Sequence, residues 1–298
     1  MLKIRAYHRP KRIEEAVKLL AEPGAGRTVI AGGTDLLVNP RYMMGVQEAV
    51  DIRDLGLAGI SGPDEPGHRG IIVIGAGATM YQAATVPLLQ RVADGIIAES
   101  AGLCASPNIR RMATMGGNAA SALPSADTPP TLLVLDAQVV LHGPAGRRSI
   151  PLGDFFTGPA KSVREPGEIL VEFHIPLPEA ETRGGFYKLV RTAEDISMVN
   201  AAVALTIQKG TISRARVVLG AVAPIPLRAR AAEALLEGRP PTEAVFREAA
   251  AQAAEEARPI TDQRASAEYR RRMSGVCTLR ALRQAAGLAP HPEDWRHA

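Results

Sequence analysis

Apolar positions recur at helical spacing from Arg12 to Ala21, where Ile13, Ala16, Val17 and Leu20 share a face and Glu14 and Glu15 sit in the first turn. After the turn Pro23 to Gly26, the β-branched run Thr28 to Ala31 reads as a strand that breaks at Gly32 and Gly33. Thr34 then caps a short helix that Pro40 ends. Glycine and proline crowd residues 59–70, which places a boundary between two lobes there. Ile71 to Ile74 is a further strand. Thr79 caps a helix starting at Met80, and Pro87 opens another that runs through Leu88, Leu89, Val92, Ile96 and Ile97.

Past the run Thr131 to Leu135, residues Ala137 to Leu141 alternate poorly and read as a buried strand, turned by Gly143 to Gly146 into the next. Ile169, Val171, Phe173 and Ile175 alternate with Leu170, Glu172 and His174, the period of a half-buried strand stopped by Pro176 and Pro178. A second boundary falls near Pro178 to Gly185. Three strands follow, Phe186 to Arg191, Asn200 to Gln208 and Ile212 to Ala221, the last two joined by a Lys209-Gly210 hairpin turn. Helices Leu227 to Leu236, Thr242 to Ala257 and Ser266 to Ala286, closed by Gly287, complete an α+β chain without an internal repeat.

With 298 residues, 46% of them hydrophobic, the chain can bury the cores of two or three units. No apolar run approaches the roughly 20 residues that cross a bilayer, and the charged start is unlike a signal segment, so the reading is cytoplasmic. A net charge of +4 raises nucleic acid as a ligand, but Arg110/Arg111, Arg147/Arg148 and Arg270 to Arg272 are scattered among acids and aromatics are only 4%. Two cysteines, Cys104 and Cys277, are too few for a disulfide framework or for an iron–sulfur cluster, which takes about four. The histidines form no metal-ligand pattern, so no metal site is expected. Cys104 reads as a small buried residue, Met43, Met44, Met112 and Met115 as packing, and Arg110 and Arg111 as solvated loop charges.

The chemistry is concentrated in two glycine turns. One is Ile30, Ala31, Gly32, Gly33, Thr34 and Asp35; the other, within Ala105 to Asp127, is Thr114, Met115, Gly116, Gly117 and Asn118. Both suit the presentation of bare backbone N–H groups, and together they suggest a diphosphate-bearing cofactor held between two lobes. Asp35 is expected to point away from the diphosphate and stabilise a helix start. Gly75, Ala76, Gly77, Ala78 and Thr79 begin a dinucleotide fingerprint, but Met80 stands where its third glycine belongs and no acid occupies a ribose position, so a nicotinamide-binding reading is incomplete. Taken alone, Asp127 is a loop or cap residue and Lys188 an exposed strand cation. No nucleophile or acid/base pair stands out, and no catalytic residue is assigned.

AGGTDLL at Ala31 to Leu37, IGAGAT at Ile74 to Thr79, IRRMATMGGN at Ile109 to Asn118, Asp127 nine residues beyond that asparagine, and EDISMVN at Glu194 to Asn200 resemble, in order and spacing, the FAD-binding medium subunit of the molybdenum hydroxylases. The resemblance implies a two-lobed FAD-binding domain of the vanillyl-alcohol-oxidase-like type, with lobes at 1–57 and 58–178. A C-terminal domain at 179–288, with a three-stranded antiparallel sheet and helices, precedes a tail at 289–298. It further implies that Ile30 to Asp35 hold the FAD diphosphate, that Thr114, Gly116, Gly117, Asn118 and Asp127 meet the remainder, that Leu170 and Lys188 are later contacts, and that Ile196 lies near the isoalloxazine edge. Lys188 there could stabilise negative charge on the reduced ring. Iron–sulfur clusters and molybdopterin are expected on an iron–sulfur small subunit and a large subunit, in a dimer of heterotrimers. The cysteine-bearing insertion of 4-hydroxybenzoyl-CoA reductases is absent between Asp127 and Gly158. Two other readings remain open: a stand-alone FAD-dependent oxidase or reductase, and a non-catalytic nucleotide-binding protein.

Overall fold

The computed structural model describes residues 4–24, 26–38 and 45–288. Strands Ala6–His8, Glu48–Asp51 and Arg27–Ile30, in that spatial order, form a small parallel sheet. The amphipathic helix Ile13–Ala21 carries the chain from one edge strand, Ala6–His8, to the other, Arg27–Ile30, burying Ala16 and Val17. The short helix expected after Gly33 is not formed among the described residues: 34–38 are turns, with the Leu37 N–H donating to Gly33 O at 3.0 Å. Pro40, Met43 and Met44 lie outside the described residues.

A five-stranded antiparallel sheet follows, with Ile60–Ser61, Ile71–Gly75, Ile169–Pro176, Gln138–Gly143 and Gly146–Pro151 in spatial order. The glycine-rich stretch 59–70 therefore contributes an edge strand to this sheet. Ile169–Pro176 is the central strand and is covered on both faces. A bulge between Leu170 and Glu172 shifts its register, so Leu170 joins Phe173 and Ile175 in the second lobe's core, while Ile169 and Val171 pack with Ala16, Val17, Val50 and Ile52 of the first lobe. The simple alternation read from the sequence ignored that extra residue.

Thr79 caps helix Met80–Thr85 with a full capping box, its hydroxyl accepting from the Gln82 N–H while the Gln82 side chain accepts from the Thr79 N–H. The apolar run after Pro87 does not form one helix. It divides into Pro87–Arg91 and Ile96–Gly102 across a kink in which Ala93, Asp94 and Gly95 all have positive φ. Strand Thr182–Leu189 passes against this kink, where a Cβ on Gly184 would lie 2.5 Å from Ala93 O.

The three C-terminal strands, Thr182–Leu189, Val199–Gln208 and Thr211–Gly220, pair antiparallel through a turn in which Lys209 and Gly210 have φ of 51° and 76°. Leu227–Arg228 adds a short fourth strand where the sequence pattern read helix; the helix begins at Arg230. Val199–Gln208 is buried on both faces because Ala202 and Ala204 join the second lobe's core, while Val199, Ala201, Val203 and Leu205 face helices Arg230–Leu236, Glu243–Glu256 and Ala267–Ala285. The C-terminal sheet is thus a shared layer between two cores.

Helix Ala267–Ala285 sits so close to that sheet that a Cβ on Gly185 would meet Ala281 O at 2.1 Å, a backbone atom that cannot step aside. Gly185→Ala is expected to lower stability by about 1–3 kcal/mol, as overpacking does. Urea denaturation followed by circular dichroism measures it, and an unchanged midpoint would refute the close packing.

Candidate functional site

A cavity of about 590 Å³ opens where the two lobes and the C-terminal domain meet, within the range of ligand and cofactor pockets. Its wall takes Ile30, Ala31, Gly32, Gly33, Thr34 and Asp35 from the first corner, Thr114, Gly116, Gly117 and Asn118 from the second, and Asp127, Leu170 and Ile196 from further along the chain. Segments more than 80 residues apart in sequence, such as Gly33 and Gly117, thus line one space.

The corners have different roles. At the first, strand Arg27–Ile30 ends and Gly33 takes φ of 70°, a conformation that favours glycine. The N–H groups of Gly32, Gly33, Thr34 and Asp35 have no hydrogen-bond acceptor among the described residues. Such a row of unpaired donors suits an anion. Residues 34–38, where Asp35 was expected to stabilise a helix start, are turns, and Asp35 belongs to the wall.

At the second corner the N–H groups are not bare. Gly116 N donates to Ala76 O at 2.8 Å, Gly117 N to the Thr114 hydroxyl at 3.0 Å and Met115 N to Ala78 O at 2.8 Å. Thr114 is the cap of helix Met115–Ala120, and Asn118 Oδ1 accepts from both the N–H and the hydroxyl of Thr128, at 3.2 and 2.8 Å. Here the glycines serve close approach: a Cβ on Gly116 would sit 2.5 Å from Ala76 Cβ, and one on Gly32 would sit 1.9 Å from Met112 O. Gly75, the start of the incomplete nucleotide fingerprint, likewise lets the chain pass Leu57 O. Met115 is fully buried in the core.

Asp127 is 6% exposed and accepts from Ser197 Oγ at 2.8 Å and Lys188 Nζ at 3.1 Å. Burial pushes its carboxyl above the ordinary range, against the pull of the Lys188 charge and the bonds from Ser197, Lys188 and Cys104. Burial, with the Asp127 charge next, pushes the Cys104 thiol up to about 12, so this wall residue stays protonated. Lys188, read from the sequence as an exposed strand cation, is 4% exposed and is not among the wall residues, with its ammonium donating to Asp127 and to Leu103 O, the latter at 2.9 Å. Arg110 is not merely a solvated charge either: its guanidinium donates to Cys104 O and Ala105 O, at 2.9 and 2.6 Å, and steadies that part of the wall. Arg111 stacks on Tyr81, 4.2 Å from the ring centroid.

Sequence reasoning missed two features. Arg164 is the only arginine or lysine among the described wall residues, which also include the acids Asp35, Asp127, Glu194 and Asp195. Desolvation by the surrounding protein lowers its pKa from the ordinary value, its guanidinium donates to Glu168 O at 3.3 Å, and the residue remains exposed. Nothing in the local spacing separates it from Lys161, which is exposed as well. The other feature is backbone strain: Ala105 and Ala160, both in the wall, have φ of 44° and 57°. No group of three or more potential metal ligands occurs among the described residues.

FAD fits these features. It brings a diphosphate, for which the first corner offers unpaired N–H donors and Arg164 a positive charge. It also brings sugar and ribityl hydroxyls, for which Asp127 is a buried acceptor.

Comparison with known proteins agrees with this chemistry. The family described as FAD binding domain in molybdopterin dehydrogenase matches residues 2–178, and that described as CO dehydrogenase flavoprotein C-terminal domain matches residues 185–285. The carbon monoxide dehydrogenase medium chain of Afipia carboxidovorans is 36% identical over 95% of this chain and 97% of its own. The xanthine dehydrogenase FAD-binding subunit of Escherichia coli is 32% identical over 97% of this chain and 98% of its own. Among solved structures, a chain of the cyanide-inactivated Cu,Mo-CO dehydrogenase superposes with a TM-score of 0.88 at 36% identity, covering 95% of this chain and 98% of that one. A chain of quinoline 2-oxidoreductase from Pseudomonas putida superposes with a TM-score of 0.85 at 29% identity, covering 95% of this chain and 96% of that one. The chain belongs to the family of FAD-binding flavoprotein subunits of molybdopterin dehydrogenases.

Proposed function

We propose that this chain is the flavoprotein subunit of a heteromeric molybdenum hydroxylase, passing electrons from iron–sulfur clusters through FAD to an external acceptor. The observation that carries the reading is the convergence of both glycine corners and Asp127 on one cavity. Bound FAD supplies the redox chemistry, taking up electrons and releasing them to the acceptor. The residues of the chain supply position and charge. The N–H groups of Gly32 to Asp35 and the guanidinium of Arg164 hold the diphosphate, Thr114 to Asn118 form a rigid floor, Asp127 accepts from a cofactor hydroxyl, and Leu170 and Ile196 supply apolar contact to the rings.

Relatives that match nearly the whole chain carry names with substrates as different as carbon monoxide, xanthine and quinoline. Such variety supports a cavity shaped by the cofactor, with substrate oxidation on a molybdopterin-bearing large subunit and an iron–sulfur small subunit as electron donor, in a dimer of heterotrimers. The complex is assigned to the cytoplasm. No helix among the described residues is long and apolar enough to cross a membrane.

Purification of the complex from its native cells tests this assignment. Iron, molybdenum and FAD should travel together, with the flavin released from this chain on denaturation; a preparation in which this chain alone turns over a small substrate would contradict it. Arg164→Gln should weaken FAD binding by about 10- to 100-fold, the worth of a lost charge-assisted hydrogen bond. Quenching of flavin fluorescence measures the affinity. Riboflavin, which lacks the diphosphate, should bind both forms alike, and equal losses for both ligands would exclude the proposed role.

A further inference from the structure

The Lys188 ammonium makes two contacts, 2.9 Å to Leu103 O and 3.1 Å to Asp127 Oδ2, and Lys188 is not among the residues that line the cavity. Asp127 Oδ1 is bonded to Ser197 Oγ, which in turn receives a bond from Asn200 Nδ2 at 3.3 Å. Lys188, Ser197 and Asn200 all come from the C-terminal domain, whereas Asp127 precedes helix Thr128–Val134 of the FAD-binding domain. The segment bearing Ser197 is itself held down: Arg270, 3% exposed, donates to Met198 O at 2.7 Å and to Ala221 O at 3.2 Å, and is anchored by Asp262 at 2.7 Å.

We propose that Lys188 is a positioning residue that acts on the cofactor only through Asp127, holding its buried carboxyl as an oriented carboxylate. The proposal rests on the FAD reading above. A carboxylate only accepts hydrogen bonds, and a sugar or ribityl hydroxyl can donate to it; a protonated carboxyl loses that acceptor strength. Burial favours the protonated form, and the cation 3.1 Å from the carboxyl opposes it. The C-terminal domain thereby completes the FAD site without lending Lys188 to the wall. The other charged or titratable groups around the carboxyl are few. Cys104, after helix Ile96–Gly102, remains a thiol because its pKa lies at about 12. Arg110, beyond Cys104, is engaged by the carbonyls of Cys104 and Ala105.

The sign of the effect follows from the loss of the cation. In Lys188→Met the carboxyl titrates at higher pH, so FAD affinity should fall as pH is lowered from 9 to 6, by up to about tenfold per pH unit, and should return toward wild type at high pH. Wild type should fall less over that range. Asp127→Asn, a fixed neutral acceptor-poor side chain, should bind weakly at every pH. Ser197→Ala, which removes one bond but keeps the cation, should show a smaller effect of the same sign and serves if Lys188→Met does not fold.

Titration of the full-length apoprotein with FAD across this range, read by flavin fluorescence, tests the proposal. A Lys188→Met affinity displaced equally at all pH values, or unchanged, overturns it while leaving the FAD reading intact. If Lys188→Met is insoluble, a pH-independent effect of Ser197→Ala overturns it. Failure of wild type to bind FAD at any pH would overturn the FAD reading itself, and the proposal with it.

Discussion

The structure depends on a contact between two stretches of bare backbone. Gly32 approaches Met112 so closely that a Cβ there would overlap the Met112 carbonyl at 1.9 Å, and Gly116 approaches Ala76 in the same way. Backbone hydrogen bonds from Met80, Met115 and Gly116 to Ala113, Ala78 and Ala76 fasten the second corner to the end of strand Ile71–Gly75. The first corner is tied to its own sheet by the Ile52 N–H, which donates to Ile30 O at 3.0 Å. A side chain at Gly32 would part the lobes, and one at Gly116 would push the second corner off the strand end that holds it. The absence of side chains therefore sets the distance between the lobes and, with it, the width of the cavity between them.

This arrangement separates rigidity from ligand binding. The second corner uses its N–H groups internally and cannot shift without breaking the hydrogen bonds that hold it. The first corner keeps its donors unpaired among the described residues and faces the cavity. The third wall comes from the C-terminal domain, whose sheet shares a core with the second lobe and whose loop carries Ile196 and Ser197 to the site. A cavity built from three parts of the chain, each packed on another, is suited to hold a large cofactor with little rearrangement.

Much of this was legible in the sequence, because short-range signals are local physics. Thr79, Pro87, the Lys209-Gly210 turn and the helical spacing after Arg12 each state a preference that the fold keeps. Three kinds of information were not legible. The bulge after Leu170 changes which residues share a face, and strict alternation along the strand does not announce it. The kink at Ala93 to Gly95 interrupts an apolar run that by periodicity should continue, at the point where Gly184 brings a strand against it. Charges were misjudged when their partners lay far along the chain: Lys188 meets Asp127 and Leu103, Arg110 turns back to Cys104 and Ala105, and Arg164 enters the cavity from a loop without a distinguishing pattern. At the glycine pairs, composition revealed that backbone comes close to something, but not whether the neighbour is a ligand or the protein itself.

The claim at the centre of this account is that one cofactor bridges corners belonging to different lobes. Hydrogen–deuterium exchange with and without FAD addresses it directly. The account predicts that amide protection rises together at 32–35 and in the Ile196–Ser197 segment, while 116–118 are slow to exchange in both states. Protection at only one of 32–35 and Ile196–Ser197, or fast exchange at 116–118 without FAD, would contradict it.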